Sequence, residues 1–268
     1  MKKLLTFTAI IGTLVLGFYF YFHHVGRIQT NVNEIFITSA DIPSPFNGTR
    51  IVQISDLFVR SENCLVLLEN VVETVNNLDP EIIVFTGNLF MEEGLEFEHR
   101  VTYLLGQLHA DLKQVAVLGY HDLPYQELVH TVLSDADFVL LNNESAQVFN
   151  HSPIGINIIG AAPTNNRNTM EQLLTIHARE DRFNLLLMSV PTFSTVSFNH
   201  SINLQLSGHC LATQDATYQI APCFQFYDGT YQFANNLTLH VSPGLARFHT
   251  IPGIFRPPNI DSFLLIRE

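Results

Sequence analysis

Apolar and polar residues alternate along the first half of the chain in a way that predicts strands followed by helices. Short apolar runs predict strands at 51–54, 81–85 and 115–118. After these runs, apolar residues recur every three or four positions, which predicts helices at about 62–77, 95–109 and 124–133. Strands that alternate with helices are typical of βαβ units, so this half predicts an α/β fold with a mostly parallel sheet.

The second half of the chain is richer in strands. One amphipathic helix is predicted at 169–179, while the other apolar runs are short and end at polar residues or glycine. The predicted strands lie at 147–149, 156–160, 184–188, 203–206, 218–220, 224–227, 231–234, 238–242 and 262–267.

The N-terminus carries an uninterrupted apolar run from Leu4 to Phe22, preceded by Lys2 and Lys3. As a helix this run is about 28 Å long, close to the roughly 30 Å hydrocarbon core of a bilayer. We therefore predict a signal anchor or transmembrane helix in 1–27, an extended linker in 28–50 and one domain in 51–268. The two lysines place that domain on the extracytoplasmic side of the membrane. A cleaved secretory signal is the alternative.

The net charge argues against some classes of binding partner, and the cysteine content bears on zinc binding and on disulfide formation. The formal net charge of −12 argues against nucleic-acid binding and against a basic patch for anionic lipid. The three cysteines, Cys64, Cys210 and Cys223, lack zinc-finger spacing. One disulfide can form among them in an oxidising compartment, and the sequence does not say which pair forms it.

Five segments share a further pattern, in which an apolar run breaks at Ser or Gly into a polar loop. Such runs are typical of buried strands whose carboxyl ends deliver side chains to a crevice. The segments are IVQISDLFVR (51–60), PEIIVFTGNLF (80–90), VAVLGYHD (115–122), LLLMSVP (185–191) and LQLSGHCLATQ (204–214).

In order and spacing these segments resemble the five metal-binding blocks of the calcineurin-like metallophosphoesterases, written D-x-H, G-D, G-N-H-[DE], a lone His after a strand, and G-H-x-H. The tail segments LHVSPGLA (239–246) and FRPPNI (255–260) resemble the membrane-anchored branch of that family. The resemblance implies a two-sheet β-sandwich of mixed sheets flanked by helices. It also implies two divalent ions that polarise a phosphoester and activate water.

Most of the metal ligands that the resemblance implies are replaced. At the first metal, Asp56 is kept, but Phe58 and Leu211 stand where the family has His, and Asn88 stands where it has the bridging Asp. Phe and Leu offer no lone pair to a metal ion. Asp56 is therefore the only anionic ligand that remains at this position.

The second metal of the family would share position 88 with the first. Tyr120 replaces Asn and Val190 replaces His, so that His209 is the one imidazole kept. His121, which matches the family's leaving-group acid, and Asp122 beside it also survive. Without a metal, such a vestigial His–Asp pair gives only modest acid–base catalysis.

Each surviving residue also has a purely structural interpretation. Asp56 follows a strand, where a carboxylate commonly caps a turn. His209 and His121 fit as hydrogen-bonded histidines in a buried niche and in a turn. Asn88 fits as an amide that bonds the backbone of its own loop.

Large apolar groups at ligand positions indicate a repacked pocket, so we predict a membrane-anchored pseudoenzyme that needs no cofactor and acts by binding or scaffolding. Its partner would be an unidentified protein or a phosphate-containing ligand. The alternative is an active phosphoester hydrolase, acting on a lipid-linked or other phosphoester with an altered or single-metal site. That alternative needs ligands from elsewhere, such as His200, His240 or His249, which the spacing does not favour. A third hypothesis is a structural partner of another membrane protein, which an exposed apolar patch would favour.

Overall fold

The computed structural model describes residues 11–14, 17, 30–210, 223, 225–234, 236–246 and 257–268. Apart from five residues, the predicted anchor in 1–27 lies outside this part of the chain, as does the ligand position Leu211. Among the described residues, no helix combines the length and the apolar character that crossing a membrane requires.

The first sheet has six strands among the described residues. They are β1 (Asn31–Ser39), β2 (Arg50–Ile54), β3 (Ile82–Phe85), β4 (Lys113–Ala116), β5 (Val139–Leu140) and β12 (Asn259–Arg267), in the spatial order β1-β12-β2-β3-β4-β5. The strands β2 to β5 are parallel, as the βαβ pattern predicts. The last strand, β12, returns antiparallel to β2 and pairs in parallel with β1.

The second sheet also has six strands in the described part of the chain. They are β6 (Glu144–Val148), β7 (Ile156–Gly160), β8 (Asn184–Leu187), β9 (Leu204–Ser207), β10 (Gly229–Gln232) and β11 (Thr238–Val241), in the spatial order β10-β11-β9-β8-β7-β6. Its four central strands are parallel and its two edge strands antiparallel to their neighbours.

Helices cover the outer faces of both sheets. They are α1 (Glu62–Asn77), α2 (Glu98–Leu105), α3 (Gln126–Asp135), α4 (Arg167–His177) and α5 (Ser194–Phe198). Short 3-10 helices span Ser44–Phe46, Glu92–Phe97 and Tyr120–Tyr125. In α1, the apolar residues that predict the helix are the ones that are buried, including Leu65, Leu68 and Val75.

Apolar clusters between the layers hold the two sheets and the helices together. The inner faces of both sheets meet in one cluster that includes Ile51, Val84, Ile158, Leu185 and Leu206. A second cluster lies between the first sheet and helices α1 to α3, and a third between the second sheet and helices α4 and α5. The predicted pair of facing sheets with flanking helices is therefore confirmed.

The structure differs from the predicted elements at several places. Part of the predicted linker is β1, which the polar residues of an edge strand hide from the apolar pattern. The second and third helices begin as 3-10 turns, and the strand predicted at 231–234 is β10, at Gly229–Gln232. The predicted strand 218–220 lies outside the described residues, and residues 225–227 are not in a strand.

Candidate functional site

The loops that follow β2, β3, β4 and β9 meet at one end of the sandwich. Four of the ligand positions in these loops have left-handed backbones, with φ of 57° at Asp56, 45° at Phe58, 64° at Asn88 and 71° at His209. A non-glycine residue in this region costs about 1 kcal/mol or more, so it persists only where its surroundings fix it. The loops therefore keep an unusual conformation at the positions where the family places metal ligands.

Asp56 is buried and fully hydrogen-bonded at the centre of these loops. Its Oδ1 accepts a hydrogen bond from Asn88 Nδ2 at 2.7 Å. Its Oδ2 accepts from Ser55 Oγ at 2.8 Å and from the backbone N of His209 at 2.7 Å. Burial raises the pKa of Asp56 to about 6, against the lowering effect of these hydrogen bonds. A side chain at position 208 would collide with Ser55 and with this carboxylate, so glycine is required there.

The Asn88 amide bridges Asp56 and His209, which the resemblance matches to two metal ligands of the family. Its Nδ2 donates to Asp56 Oδ1 and lies 3.0 Å from His209 Nδ1. Since an amide nitrogen only donates, His209 Nδ1 must be the acceptor and the ring must be neutral, with its proton on Nε2. Burial lowers the pKa of His209 to about 4, which agrees with a neutral ring. The amide therefore joins the Asp56 carboxylate and the His209 imidazole directly.

Asp122 has become a backbone clamp. It is fully buried, and its two oxygens accept hydrogen bonds from the backbone N of Gly119 at 2.7 Å, of Asn88 at 2.7 Å and of Leu89 at 2.8 Å. Burial raises its pKa to about 6 although these bonds act in the opposite direction. The carboxylate holds the loop after β3 against the loop after β4, and its hydrogen bonds go to the backbone rather than to His121.

His121 lies beside the network in a half-buried position. Its ring centre is 5.0 Å from that of Phe58 and 5.6 Å from that of His209. Its backbone N donates to Asn88 Oδ1 at 3.2 Å. Burial, with a smaller contribution from His209, lowers the pKa of His121, so the ring is neutral at pH 7.

The replacing residues fill space rather than offer ligands. Phe58 and Val190 are buried, at 2% and 1% exposure. The Tyr120 hydroxyl donates to Asn165 Oδ1 at 2.7 Å and so is committed to a contact at the rim.

Two serines complete the site and were missed by the sequence analysis. Ser55 donates to Asp56, and Ser189 Oγ lies 3.4 Å from Asn88 Nδ2. Ser55 directly follows the buried strand β2, and Ser189 lies two residues after the buried strand β8. This position after a buried strand was the signal in the sequence that could have identified them. Cys210 forms a disulfide with Cys223 beside the site, and Cys64 is free. Cys210 is thus excluded as a thiolate ligand.

The residues of this site do not fit a pair of divalent ions. Among the described residues, no three His, Cys, Asp or Glu side chains lie close enough together to hold a metal ion. A two-metal centre needs several such ligands around each ion, whereas Asp56 and His209 are already joined by the Asn88 amide. Of the other histidines considered, His240 contacts Asp261 in the interior, and His249 lies outside the described residues.

Comparison with known proteins finds similarity to metallophosphoesterases. No model of a known protein family matches the chain. The chain is 27% identical over 260 residues to YkuE, an uncharacterized metallophosphoesterase of Bacillus subtilis, across 93% of this chain and 90% of that protein. It is 33% identical over 99 residues to the UDP-2,3-diacylglucosamine pyrophosphatase LpxG of Chlamydia trachomatis, across 36% of this chain and 30% of that enzyme.

A solved structure shares the fold at low sequence identity. A dimetal phosphatase from Danio rerio superimposes with a TM-score of 0.50 at 10% identity, over 82% of this chain and 93% of that structure. At this identity the likeness concerns the fold alone.

Proposed function

Because this chain belongs to the calcineurin-like metallophosphoesterase superfamily but lacks most of the family's metal ligands, we propose that it is a pseudoenzyme that acts by binding or scaffolding. The observation that carries the proposal is the Asn88 amide, which donates to Asp56 at 2.7 Å and lies 3.0 Å from His209 Nδ1. In the family the equivalent position is a carboxylate that bridges two metal ions. Here the Asn88 amide donates a hydrogen bond to Asp56 and to His209, where the family would have a metal ion.

The electrostatics of the site also disfavour a phosphate ligand. Burial lowers the pKa values of both His121 and His209, so neither ring carries a positive charge at pH 7. Asp56 titrates near pH 6 and is largely anionic at neutral pH. A phosphate placed here would meet a buried carboxylate and no compensating cation from these three residues. This favours a protein partner over a phosphate-containing ligand.

We further propose that residues 1–27 anchor the domain to a membrane, with the domain on the extracytoplasmic side. The support is the apolar run Leu4–Phe22 behind two lysines. Protection of the domain from added protease in spheroplasts, followed by digestion once they are lysed, would place it in the cytoplasm and contradict this part of the proposal.

The alternative is a phosphoester hydrolase with an altered site, and the similarity to LpxG over 99 residues favours it. The test compares hydrolysis of bis(p-nitrophenyl) phosphate and of UDP-2,3-diacylglucosamine by the full chain, with and without Mn²⁺. If the site is inactive, Asp56→Asn and His121→Gln should leave the rate unchanged. A Mn²⁺-dependent rate that falls about tenfold or more in Asp56→Asn would establish the hydrolase instead. A metal-independent rate that disappears in His121→Gln would also contradict the loss of catalysis.

A further inference from the structure

The edge strand β1 has one face that lies outside the cover of the helices. Within the described structure, β1 is at the edge of the first sheet and pairs with β12 along all nine of its residues. Ile37 packs between the two sheets, so the even-numbered residues of β1 point to the opposite, outer face. Ile260, the partner of Val32 on β12, is buried in the cluster beneath helices α1 to α3. Farther along β1 the outer face is open.

The open part of this face is apolar. Phe36 is 61% exposed and Val32 is 36% exposed. Phe36 lies opposite Leu264 of β12, and both Leu264 and Ile266, the next outward residue of that strand, are half-buried. We call these four residues the β1 patch. Single exposed apolar side chains are normal on protein surfaces, whereas adjacent ones mark a surface that makes contacts.

The charges beside the β1 patch cancel each other. Glu34 is the charged residue among the outward positions of β1, and its carboxylate pairs with Arg50 Nη1 at 2.9 Å. Arg50 Nη1 is held in turn by the Ser262 hydroxyl at 2.6 Å. The protein as a whole carries a formal charge of −12, so most faces of an acidic domain of this kind are repelled by an anionic membrane. A neutral apolar face is the part of its surface best suited to contact lipid.

The β1 patch also lies next to the proposed anchor in the chain. The apolar run ends at Phe22, and the domain begins in the described structure at Thr30, eight residues later. Eight residues span about 26–29 Å when fully extended, and about 14–17 Å as a flexible chain. At about 3.3 Å per residue, Val32 is about 7 Å from Thr30 and Phe36 about 20 Å. The anchor therefore holds the β1 patch within reach of the bilayer.

We propose that the β1 patch lies against the lipid surface of the membrane and so fixes the orientation of the domain. This inference rests on the proposed anchor and does not depend on the loss of hydrolysis. The contact also keeps the candidate site near the membrane. Asn259, opposite Asn31 at the start of β1, donates from its backbone N to Gly244 O, and a side chain at Gly244 would touch Asp56.

The test uses tryptophan fluorescence, because the chain has no tryptophan of its own. Phe36→Trp and Val32→Trp are made separately in the full chain, which is reconstituted into phosphatidylcholine vesicles with or without brominated acyl chains. An apolar side chain at the interface lies roughly 5–10 Å into the headgroup boundary, so the bromines should quench about half of the emission of either variant. The matched control is Phe149→Trp, which is 47% exposed between β6 and β7 of the second sheet and should keep its emission.

The possible failures are distinguishable from one another. Flotation with the vesicles tests the anchor first, and a chain that does not float would overturn both the anchor and this inference. A floating chain in which both patch variants are quenched no more than Phe149→Trp would overturn the inference alone. A dimer trapped by crosslinking, with unquenched emission typical of a buried tryptophan, would show that a second copy covers the patch instead of lipid. Circular dichroism checks the fold of each variant, and the two patch positions are independent reporters.

Discussion

The two buried polar groups of this protein differ in how completely they are satisfied. Around Asp56, both carboxylate oxygens accept hydrogen bonds from within the protein, from Ser55, Asn88 and the backbone of His209. Between the sheets, His240 pairs with Asp261 at 3.3 Å, but Gln53 Oε1 has no hydrogen-bond partner among the described residues. A polar group whose oxygens already accept hydrogen bonds within the protein has few lone pairs left for a ligand. The group at the positions that resemble the family's metal ligands is therefore the more completely satisfied of the two.

The largest effect should come from Asp122, because three backbone N–H groups depend on its carboxylate. Asp122→Ala leaves all three buried without their acceptor, and we expect a loss of about 4 kcal/mol in the free energy of unfolding. Urea denaturation measures this loss, with Asp135→Ala on the exposed end of α3 as a control that should change stability by less than about 0.5 kcal/mol. A loss below about 1 kcal/mol would show that the clamp is not structural.

Restoring the family's carboxylate at position 88 should be nearly as harmful. Asn88→Asp removes the donor to Asp56 and His209 and places two carboxylates in contact, so one of them must take up a proton. We expect about 3 kcal/mol of destabilisation at pH 8 and less at pH 5, where that proton is easily supplied.

The matched control for Asn88→Asp is Asn165→Asp, since Asn165 is exposed and its oxygen already accepts from Tyr120. It should be nearly neutral in the same denaturation experiment. If Asn88→Asp were instead stabilised by Zn²⁺ to above the wild type, the loops would still be able to assemble a metal site.

The neutral ring of His209 predicts a pH dependence with a defined sign. Its pKa falls from 6.5 to about 4 on folding, so between these values the unfolded chain binds a proton that the folded chain does not. Its contribution to stability is therefore present above pH 6.5 and is lost as the pH falls toward 4, by about 2–3 kcal/mol at pH 4.5. Asp56 acts in the opposite sense, because its raised pKa makes the folded state the better proton acceptor between pH 3.8 and about 6.

To isolate the effect of His209, the free energy of unfolding is measured as a function of pH for the wild type and for His209→Gln, and the second is subtracted from the first. The difference should become smaller as the pH falls, because only the wild type loses stability through protonation of this ring in the unfolded chain. Profiles that run parallel from pH 7 to pH 4.5 would mean that His209 is not buried as a neutral acceptor.

The smallest effect concerns a single hydroxyl. Ser55→Ala removes one of the hydrogen bonds to the Asp56 carboxylate, and we expect a loss of about 1–2 kcal/mol. Differential scanning calorimetry measures this loss. Ser44→Ala, on an exposed turn, is the control and should leave the stability unchanged. Equal effects of the two changes would show that the carboxylate is not held as tightly as its contacts indicate.

The sequence predicted the sheets and helices well because their signals are local and repeated. The spacing of Leu65, Leu68 and Val75 is enough to predict α1, and its bounds agree with the structure. The edge strand β1 was missed as a strand because its pairing with β12 is set by a segment more than two hundred residues away. The disulfide partner of Cys210 was likewise a matter of tertiary proximity.

At the site, the resemblance predicted which ligand positions are replaced, but the sequence did not predict the contacts of the remaining residues. The resemblance of the five segments to the family implied that Asp56, Asn88 and His209 lie in one site, and the structure places them in contact. The direction of the Asn88 amide and the three backbone partners of Asp122 depend on left-handed loop conformations that residue identity does not encode. Nothing in the spacing connected Gln53 with Asp261, because antiparallel pairing across the sheet creates that contact.

The most direct test of the central claim is the ¹⁵N NMR spectrum of His209 in the full chain, assigned with His209→Gln and recorded at pH 7 with and without Zn²⁺. Its Nδ1 should show the chemical shift of a neutral nitrogen that accepts a hydrogen bond, and one equivalent of Zn²⁺ should leave that shift unchanged. A shift of Nδ1 toward the value of a metal-bound nitrogen would show that the Asn88 amide yields to a cation, and the pseudoenzyme account would be wrong.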